Sequence, residues 1–382
     1  MTDEERREAR WRSAADRAPH LVVDGHLDLA MNALMWNRDI TLDVDALRAH
    51  ELSAGVTGPG RGCGTVTVPE LRRSGVALSL ATVLARTGGA PTPALPRFAC
   101  AEIAYGMAQG QLAYYRMLER LGHLRMVRDR SGLNVHWNAW REWLANGAEP
   151  EQTPPHGFVL LMEGADSVPE PEHLVGWYED GLRVLGMTHY MDSTYAHGTG
   201  TEGGLKPPAE ELLDTMQALG MVLDVTHLAD QSFWEALELW QGPVLASHQN
   251  ARALVPGQRQ FGDDQLRAVL ERGGVIGVAL DAWMLVPGWV RGETQPGVVG
   301  LEALVDHVTH VCELAGDCLH VAIGSDLDGG YGTEQTPRDL DTIADLQKLP
   351  ALLRARGFSD DDVEAVMNGN WLRFLERHLP EA

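Results

Sequence analysis

Residues 221–248, MVLDVTHLADQSFWEALELWQGPVLASH, decide the fold. Two short apolar runs, 221–227 and 243–248, each close on a histidine, His227 and His248, and the interval between them suits a strand, a helix and a second strand. A parallel barrel brings side chains to one site in this way, each strand contributing from its C-terminal end. Outward from this stretch the same ending recurs in VVDGHLD (22–28), VLLMEG (159–164), LGMTH (185–189) and VAIGSD (321–326). Six apolar runs thus finish on a metal ligand or an acid–base group.

The full pattern predicts strands at 21–29 (β1), 76–84 (β2), 158–164 (β3), 183–189 (β4), 221–227 (β5), 243–248 (β6), 275–280 (β7) and 320–326 (β8). Their Val, Leu and Ile content without polar alternation is what strands buried on both faces require. Helical stretches lie between them, among them 209–219, 263–272 and 301–314, several ending on glycine. The alternation predicts an α/β fold, a (β/α)8 TIM barrel, over a single domain of residues 1–382. Residues 1–20 form an N-terminal extension, and 85–157 elaborate the β2–β3 connection. In that elaboration a helix over 98–121 presents Ile103, Met107, Tyr114, Leu118 and Leu121 on one face.

A formal charge of −23, from 31 basic and 54 acidic residues, argues against a nucleic-acid or anionic-membrane surface. The charged start, MTDEERREARWR, is no secretory signal, and no run is long enough to span a membrane, which points to the cytoplasm. Cys63, Cys100, Cys312 and Cys318 form neither a CxxC pair nor a zinc-finger spacing and read as buried or incidental thiols. The glycine-rich stretch 55–64, GVTGPGRGCG, lacks the GK[ST] ending of a phosphate loop and reads as a mobile loop near the barrel mouth. His307 and His310 read as a solvated helix face.

The chemistry follows from the strand ends. His26 and Asp28 are one residue apart, so strand alternation turns both to the same side. Glu163 puts a carboxylate where an unpaired charge is costly, and its two oxygens suit a bridge between two metal ions. The neutral imidazoles of His227 and His248 suit zinc or a similar divalent ion. Two metals sharing Glu163 would each have three protein ligands and room for a bridging water, whose pKa falls from ~15.7 towards ~7. Asp326 is the natural general base and later acid, its bland alternative being a structural cap of the SDLDG turn with Asp328. His189 suits stabilisation of an oxyanion.

These residues resemble the renal-type membrane dipeptidases, a branch of the metal-dependent amidohydrolases. The resemblance rests on DGHLD, MEG, THY, DVTH, ASHQNARAL, RQFGD (259–263), AIGSDLDGG and NGNWLRF, which run in order from residue 24 to 374. It implies a barrel with a binuclear zinc centre that hydrolyses dipeptides, often with a D-residue at the C-terminal position, through a hydroxide bridging two Zn2+. By motif, His26 and Asp28 hold one zinc, His227 and His248 the other, and Glu163 bridges them; His189 contacts substrate and Asp326 handles protons. The resemblance adds Arg259 as the grip on the dipeptide's free carboxylate, a task suited to a guanidinium fork. Relatives are commonly dimers.

The chain departs from the family's pattern in LAMNALMW after β1, in ALSLAT within β2, at Asp166, and at Ser193, Tyr195 and His197. These positions approach the substrate side in relatives. Two other readings keep the barrel: a binuclear amidohydrolase acting on an N-acyl amino acid, a β-lactam or another cyclic amide, and a catalytically silent metal-binding scaffold.

Overall fold

A computed structural model describes residues 19–90 and 95–382, so the expected extension at 1–20 lies almost wholly outside the described residues. Eight strands, β1 (Val22–Leu27), β2 (Val76–Val83), β3 (His156–Glu163), β4 (Leu182–Gly186), β5 (Val222–Asp224), β6 (Val244–Leu245), β7 (Ile276–Val278) and β8 (Val321–Ile323), pair in the order β6-β5-β4-β3-β2-β1-β8-β7. All of these pairings are parallel, and a bridge between Ala246 and Ile276 joins β6 to β7, so the sheet curls into the expected barrel. The ladders are shorter than the apolar runs, because several site residues sit on bends one to three positions beyond them.

The apolar residues sort into two shells by strand parity. Val23, Leu78, Leu80, Val159, Leu161, Val184, Val222, Leu245 and Ala322 fill the barrel interior, and Trp371 of the C-terminal helix Asn370–His378 packs with them. Phe158, Leu160 and Met162 belong to the outer shell beneath the helices. Glu163 therefore inherits the inward parity of Val159 and Leu161. In β1, by contrast, Val23 lies in the inner shell and Leu27 in the outer, with a break in register between Asp24 and Leu27. Regular alternation from Val23 would turn His26 outwards. The irregularity at Gly25 turns both His26 and Asp28 inwards, which period-2 reasoning alone did not contain.

Close approach around Ser247 needs glycine. A side chain at Gly277 or Gly324 would lie 2.1 or 1.9 Å from the Ser247 carbonyl oxygen, and one at Gly25 would meet that oxygen and the Trp371 ring at 2.5 Å. The barrel is thus narrow directly below the end of β6.

The β2–β3 connection contains helices Ala101–Arg120 and Arg130–Ala145 and a short unpredicted strand, Leu124–Met126, paired in parallel with the start of β3. The first helix buries Ala104, Ala108, Gln111, Leu112, Tyr115 and Leu118; of the expected face Leu118 is buried and Met107 and Tyr114 are partly buried against the core, whereas Ile103 and Leu121 are exposed. Polar anchoring centres the buried face on Gln111 and Tyr115. Gln111 bonds both the N–H and the carbonyl of Leu84, and the Tyr115 hydroxyl donates to the Thr82 carbonyl at 2.8 Å and accepts from the Ala30 N–H at 3.1 Å.

His307 is buried, not solvated: its Nδ1 accepts from the Ala251 N–H at 3.1 Å and its Nε2 faces the Leu285 carbonyl at 3.4 Å, while half-buried His310 pairs with Asp263 at 2.8 Å. The four cysteines are free thiols, and none is fully buried. Two further buried histidines lie low on the barrel wall, where His136 and His156 donate to the carbonyls of Ala77 and Val76, each at 2.8 Å.

Burial holds all three in the neutral form, lowering His307 and His136 to about 4 and His156 to about 3, against ~6.5 in an unfolded chain. Below pH ~6.5 the unfolded chain takes up protons that the folded one refuses, so their contribution is full above that value and is lost as pH falls towards 4. Each histidine lowered to about 4 costs roughly 2 kcal/mol at pH ~5. His307→Gln keeps an acceptor and a donor, and should shrink the difference in unfolding free energy between pH ~7.5 and ~5 by about that amount. Equilibrium denaturation at the two pH values checks this; an undiminished difference would show that His307 does not titrate on unfolding.

Candidate metal centre

Four imidazoles converge on one carboxylate oxygen. The Nε2 atoms of His26 and His227 lie 3.5 Å from Glu163 Oε1, and those of His189 and His248 lie 3.6 Å from it. His26, Asp28 and Glu163 form one group able to hold a cation; Glu163, His227 and His248 form a second; Asp326 joins His26 and His248 in a third. All six side chains are largely buried at the C-terminal end of the barrel, and Glu163 is common to the first two groups.

The charge balance fits cations. Burial opposes charge on Glu163, yet His26 holds its carboxyl well below the usual range. Burial and the neighbouring Glu163 raise Asp28 to about 7. Burial drives Asp326 well above the carboxylate range, repulsion from Asp28 and Glu163 adding to it. His26 is disfavoured as a cation by burial, but Glu163 and Asp28 outweigh this and raise it to about 10. Burial pushes His227 and His248 well below the imidazole range and His189 down to about 4, so all three are neutral donors. His26 Nε2 and Glu163 Oε2 are buried without a hydrogen-bond partner, and the neutral His227 and His248 face each other through Nε2 atoms 3.0 Å apart. Such a set of lone pairs suits divalent ions of borderline softness.

Residues behind the site fix these rings. Ser247 Oγ lies 3.2 Å from His26 Nδ1 and 3.0 Å from His248 Nδ1, and Thr199 Oγ1 lies 3.0 Å from His227 Nδ1. If Nε2 binds a cation, Nδ1 carries the proton, and these hydroxyls accept it. Thr82 donates its hydroxyl hydrogen to Asp28 Oδ1. Asp24 Oδ1 accepts from the N–H groups of His26 (3.1 Å) and Ser325 (2.8 Å), tying β1 to β8. Asp224 Oδ1 accepts from Thr226 (3.0 Å) and Ser247 (3.1 Å), tying β5 to β6. His227 and Asp326 themselves have φ of 67° and 56°, a left-handed backbone that costs about 1–3 kcal/mol and clusters at functional sites.

Sequence reasoning passed over Asp24, Asp224 and Ser247. Their signal was present: each is a polar residue inside an otherwise apolar run, one to three positions before a site histidine. It also passed over the ending of β7, where buried Asp281 accepts from Gln335 at 2.6 Å and from Trp283 at 2.7 Å, and burial raises it to about 6.

Arg259 is buried, donating from Nη1 to Gln249 Oε1 at 2.8 Å and from Nη2 to the His248 carbonyl at 2.9 Å, with Nε unpartnered. Those bonds aim the guanidinium, and no carboxylate among the described residues pairs with it. Asp166 is a loop anchor, accepting from the Thr87 and Thr194 N–H groups at 2.8 Å. Tyr195 donates to the Val168 carbonyl at 2.6 Å, and Ser193 bonds the Met187 carbonyl, so both shape the loop from within. The 55–64 loop is pinned: Arg38 bonds Glu51 and the Gly60 carbonyl, and Glu51 and Glu334 accept from the N–H groups of Gly62 and Gly60, each at 2.7 Å.

A sequence model of the family described as membrane dipeptidase (peptidase family M19) matches residues 16–379. The chain is similar to an uncharacterised protein in the pqqA 5′ region of Klebsiella pneumoniae, 31% identical over 228 residues that cover 57% of this chain and 81% of the relative. It is also similar to the dipeptidase tcpJ of Claviceps purpurea, 29% identical over 202 residues, 51% of this chain and 44% of that protein. The chain spans about half the length of several curated relatives it matches. A solved metallopeptidase from Rhodobacter sphaeroides, liganded with a phosphinate mimic of the dipeptide L-Ala-D-Ala, has a TM-score of 0.73 at 24% identity, covering 94% of this chain and 99% of that one. No helix among the described residues is long and apolar enough to cross a membrane.

Proposed function

The chain belongs to the membrane dipeptidase family, peptidase family M19, and from that premise we propose that it is a dipeptidase working through two divalent ions, zinc in the simplest case. Metal dependence follows from membership of a metallopeptidase family. The observation that carries two ions is the shared carboxylate: Glu163 belongs both to the His26–Asp28 group and to the His227–His248 group.

Ions bound there would supply Lewis acidity and lower the pKa of water towards ~7, making hydroxide available at neutral pH. The protein's part is positional and protonic. Glu163, His26, Asp28, His227 and His248 hold the ions, with Ser247, Thr199 and Thr82 fixing tautomers and orientation. Asp326, beside His26 and His248, takes up the proton released in attack and returns it to the leaving amine. His189, neutral and against Glu163, is available to the carbonyl oxygen as charge develops. Arg259 takes the C-terminal carboxylate through its free edge. The mimic of L-Ala-D-Ala bound by the Rhodobacter sphaeroides metallopeptidase supports a small dipeptide and makes a D-residue at the second position the first to test.

A panel of L,L and L,D dipeptides on metal-loaded protein tests the reading, and a loaded protein that turns over none of them would refute it. Arg259→Met should raise KM about 10- to 100-fold, matching the ~1.5–3 kcal/mol of a charged hydrogen bond, with a smaller change in kcat. An unchanged KM would argue instead for a substrate without a carboxylate there, such as a cyclic amide.

A further inference from the structure

Arg86 lies just past the end of β2, a strand that contributes no ligand to the metal site. Its side chain is buried, with 7% of the residue exposed, and its Nε is buried without a hydrogen-bond partner. Nη2 donates to two loop carbonyls, Ala90 at 3.0 Å and Leu95 at 3.3 Å, and these hold the group in place. Among the described residues no carboxylate pairs with it. Asp166 is the acidic group within electrostatic reach, but its two oxygens are engaged by Thr87 and Thr194. The guanidinium faces the loop after β4: its charge is felt at His189, and a side chain at Gly89 would stand 3.5 Å from Arg86 Nη1 and 2.8 Å from Met191.

A buried guanidinium N–H without an acceptor is costly and calls for an explanation, a ligand that completes it being one; Arg183, likewise buried and without a carboxylate, is instead satisfied by the carbonyls of Arg128, Tyr178 and Leu182. Arg259 shares the unpartnered Nε of Arg86 and is also within reach of His189. Two buried guanidinium groups that no carboxylate among the described residues pairs with thus act on His189 from its surroundings. Resting on the dipeptidase reading, we infer that Arg86 is a specificity residue that receives a second carboxylate, so that the preferred substrates are acidic dipeptides bearing an Asp or Glu residue. The C-terminal carboxylate goes to Arg259 and the side-chain carboxylate to the Nη1 hydrogens of Arg86, Nη2 being held by the Ala90 and Leu95 carbonyls. The neutral isostere would leave those hydrogens unpaired, which is the situation in which polar sites discriminate most strongly.

The test compares charge at constant shape on the metal-loaded protein: Ala-Glu against Ala-Gln and Glu-Ala against Gln-Ala, in L,L and L,D forms. In at least one pair kcat/KM should favour the acidic member tenfold or more, and Arg86→Met should bring that ratio to within about threefold of one while L-Ala-D-Ala turnover changes little. Arg86→Lys, which keeps a point charge, should restore part of the ratio. Ratios near one in every wild-type pair, or an undiminished ratio in Arg86→Met, would overturn the inference; Arg86→Gln carries the same expectation should the Met variant fail to fold. Turnover of any dipeptide separates the two levels, since its absence for every neutral and acidic dipeptide tried refutes the dipeptidase reading, whereas its presence without an acidic preference refutes only the role of Arg86.

Discussion

Asp326→Asn is expected to lower kcat by about 10²–10⁴-fold, the range of a positioned general acid–base group, while the bound metal and the melting temperature stay near those of the wild type. The substitution is nearly isosteric, and asparagine tolerates the left-handed backbone found at this position, φ 56°. The competing structural role belongs to a different residue. Asp328, two positions on, accepts from the Thr65 N–H at 2.8 Å, from its hydroxyl at 2.8 Å and from the Val66 N–H at 3.0 Å, and lies 3.5 Å from Arg38. The turn is therefore anchored through Asp328, which leaves the Asp326 side chain free to face His26 and His248. Metal content measured beside kcat separates the outcomes. Loss of activity with full metal supports proton transfer at Asp326; loss of metal would make it a ligand; retained activity would place the chemistry elsewhere.

The barrel and the six converging residues were legible because both follow from one-dimensional rules. Buried parallel strands must be apolar throughout, and a polar group at their C-terminal end has few places to go other than a common mouth. The same rules misread features set by three-dimensional packing. The helix Ala101–Arg120 centres its buried face away from Ile103 and Leu121 because Gln111 and Tyr115 satisfy groups at the end of β2 that no periodicity reveals. His307 looked solvated because the Ala251 N–H and the Leu285 carbonyl that hold it lie 56 and 22 residues away in sequence. Glycine richness suggested mobility in 55–64, whereas Glu51, Arg38 and Glu334, all outside the stretch, pin it. Alternation put His26 and Asp28 on one side, but that this side is the inner one depended on a register break between Asp24 and Leu27 that regular alternation from Val23 would not supply.

Metal is where the largest single-residue loss is expected. Glu163→Gln keeps the volume of the side chain but removes the negative charge that lies 3.5–3.6 Å from four imidazole nitrogens. Loss of an outer partner of a metal ligand typically weakens binding about 10- to 100-fold, so neutralising a ligand common to both groups should cost at least about 100-fold at each ion. Activity at limiting metal falls with it. Asp28 belongs to only one of the two groups, and Asp28→Asn provides the contrast. Metal content after gel filtration should then fall by one ion in Asp28→Asn and by more than one in Glu163→Gln. Equal losses in the two variants would show that Glu163 serves a single ion, and full metal with wild-type turnover in Glu163→Gln would remove it from the centre. The difference between the variants, not the loss itself, carries the conclusion, because any damaged ligand lowers occupancy but only a shared one lowers it twice.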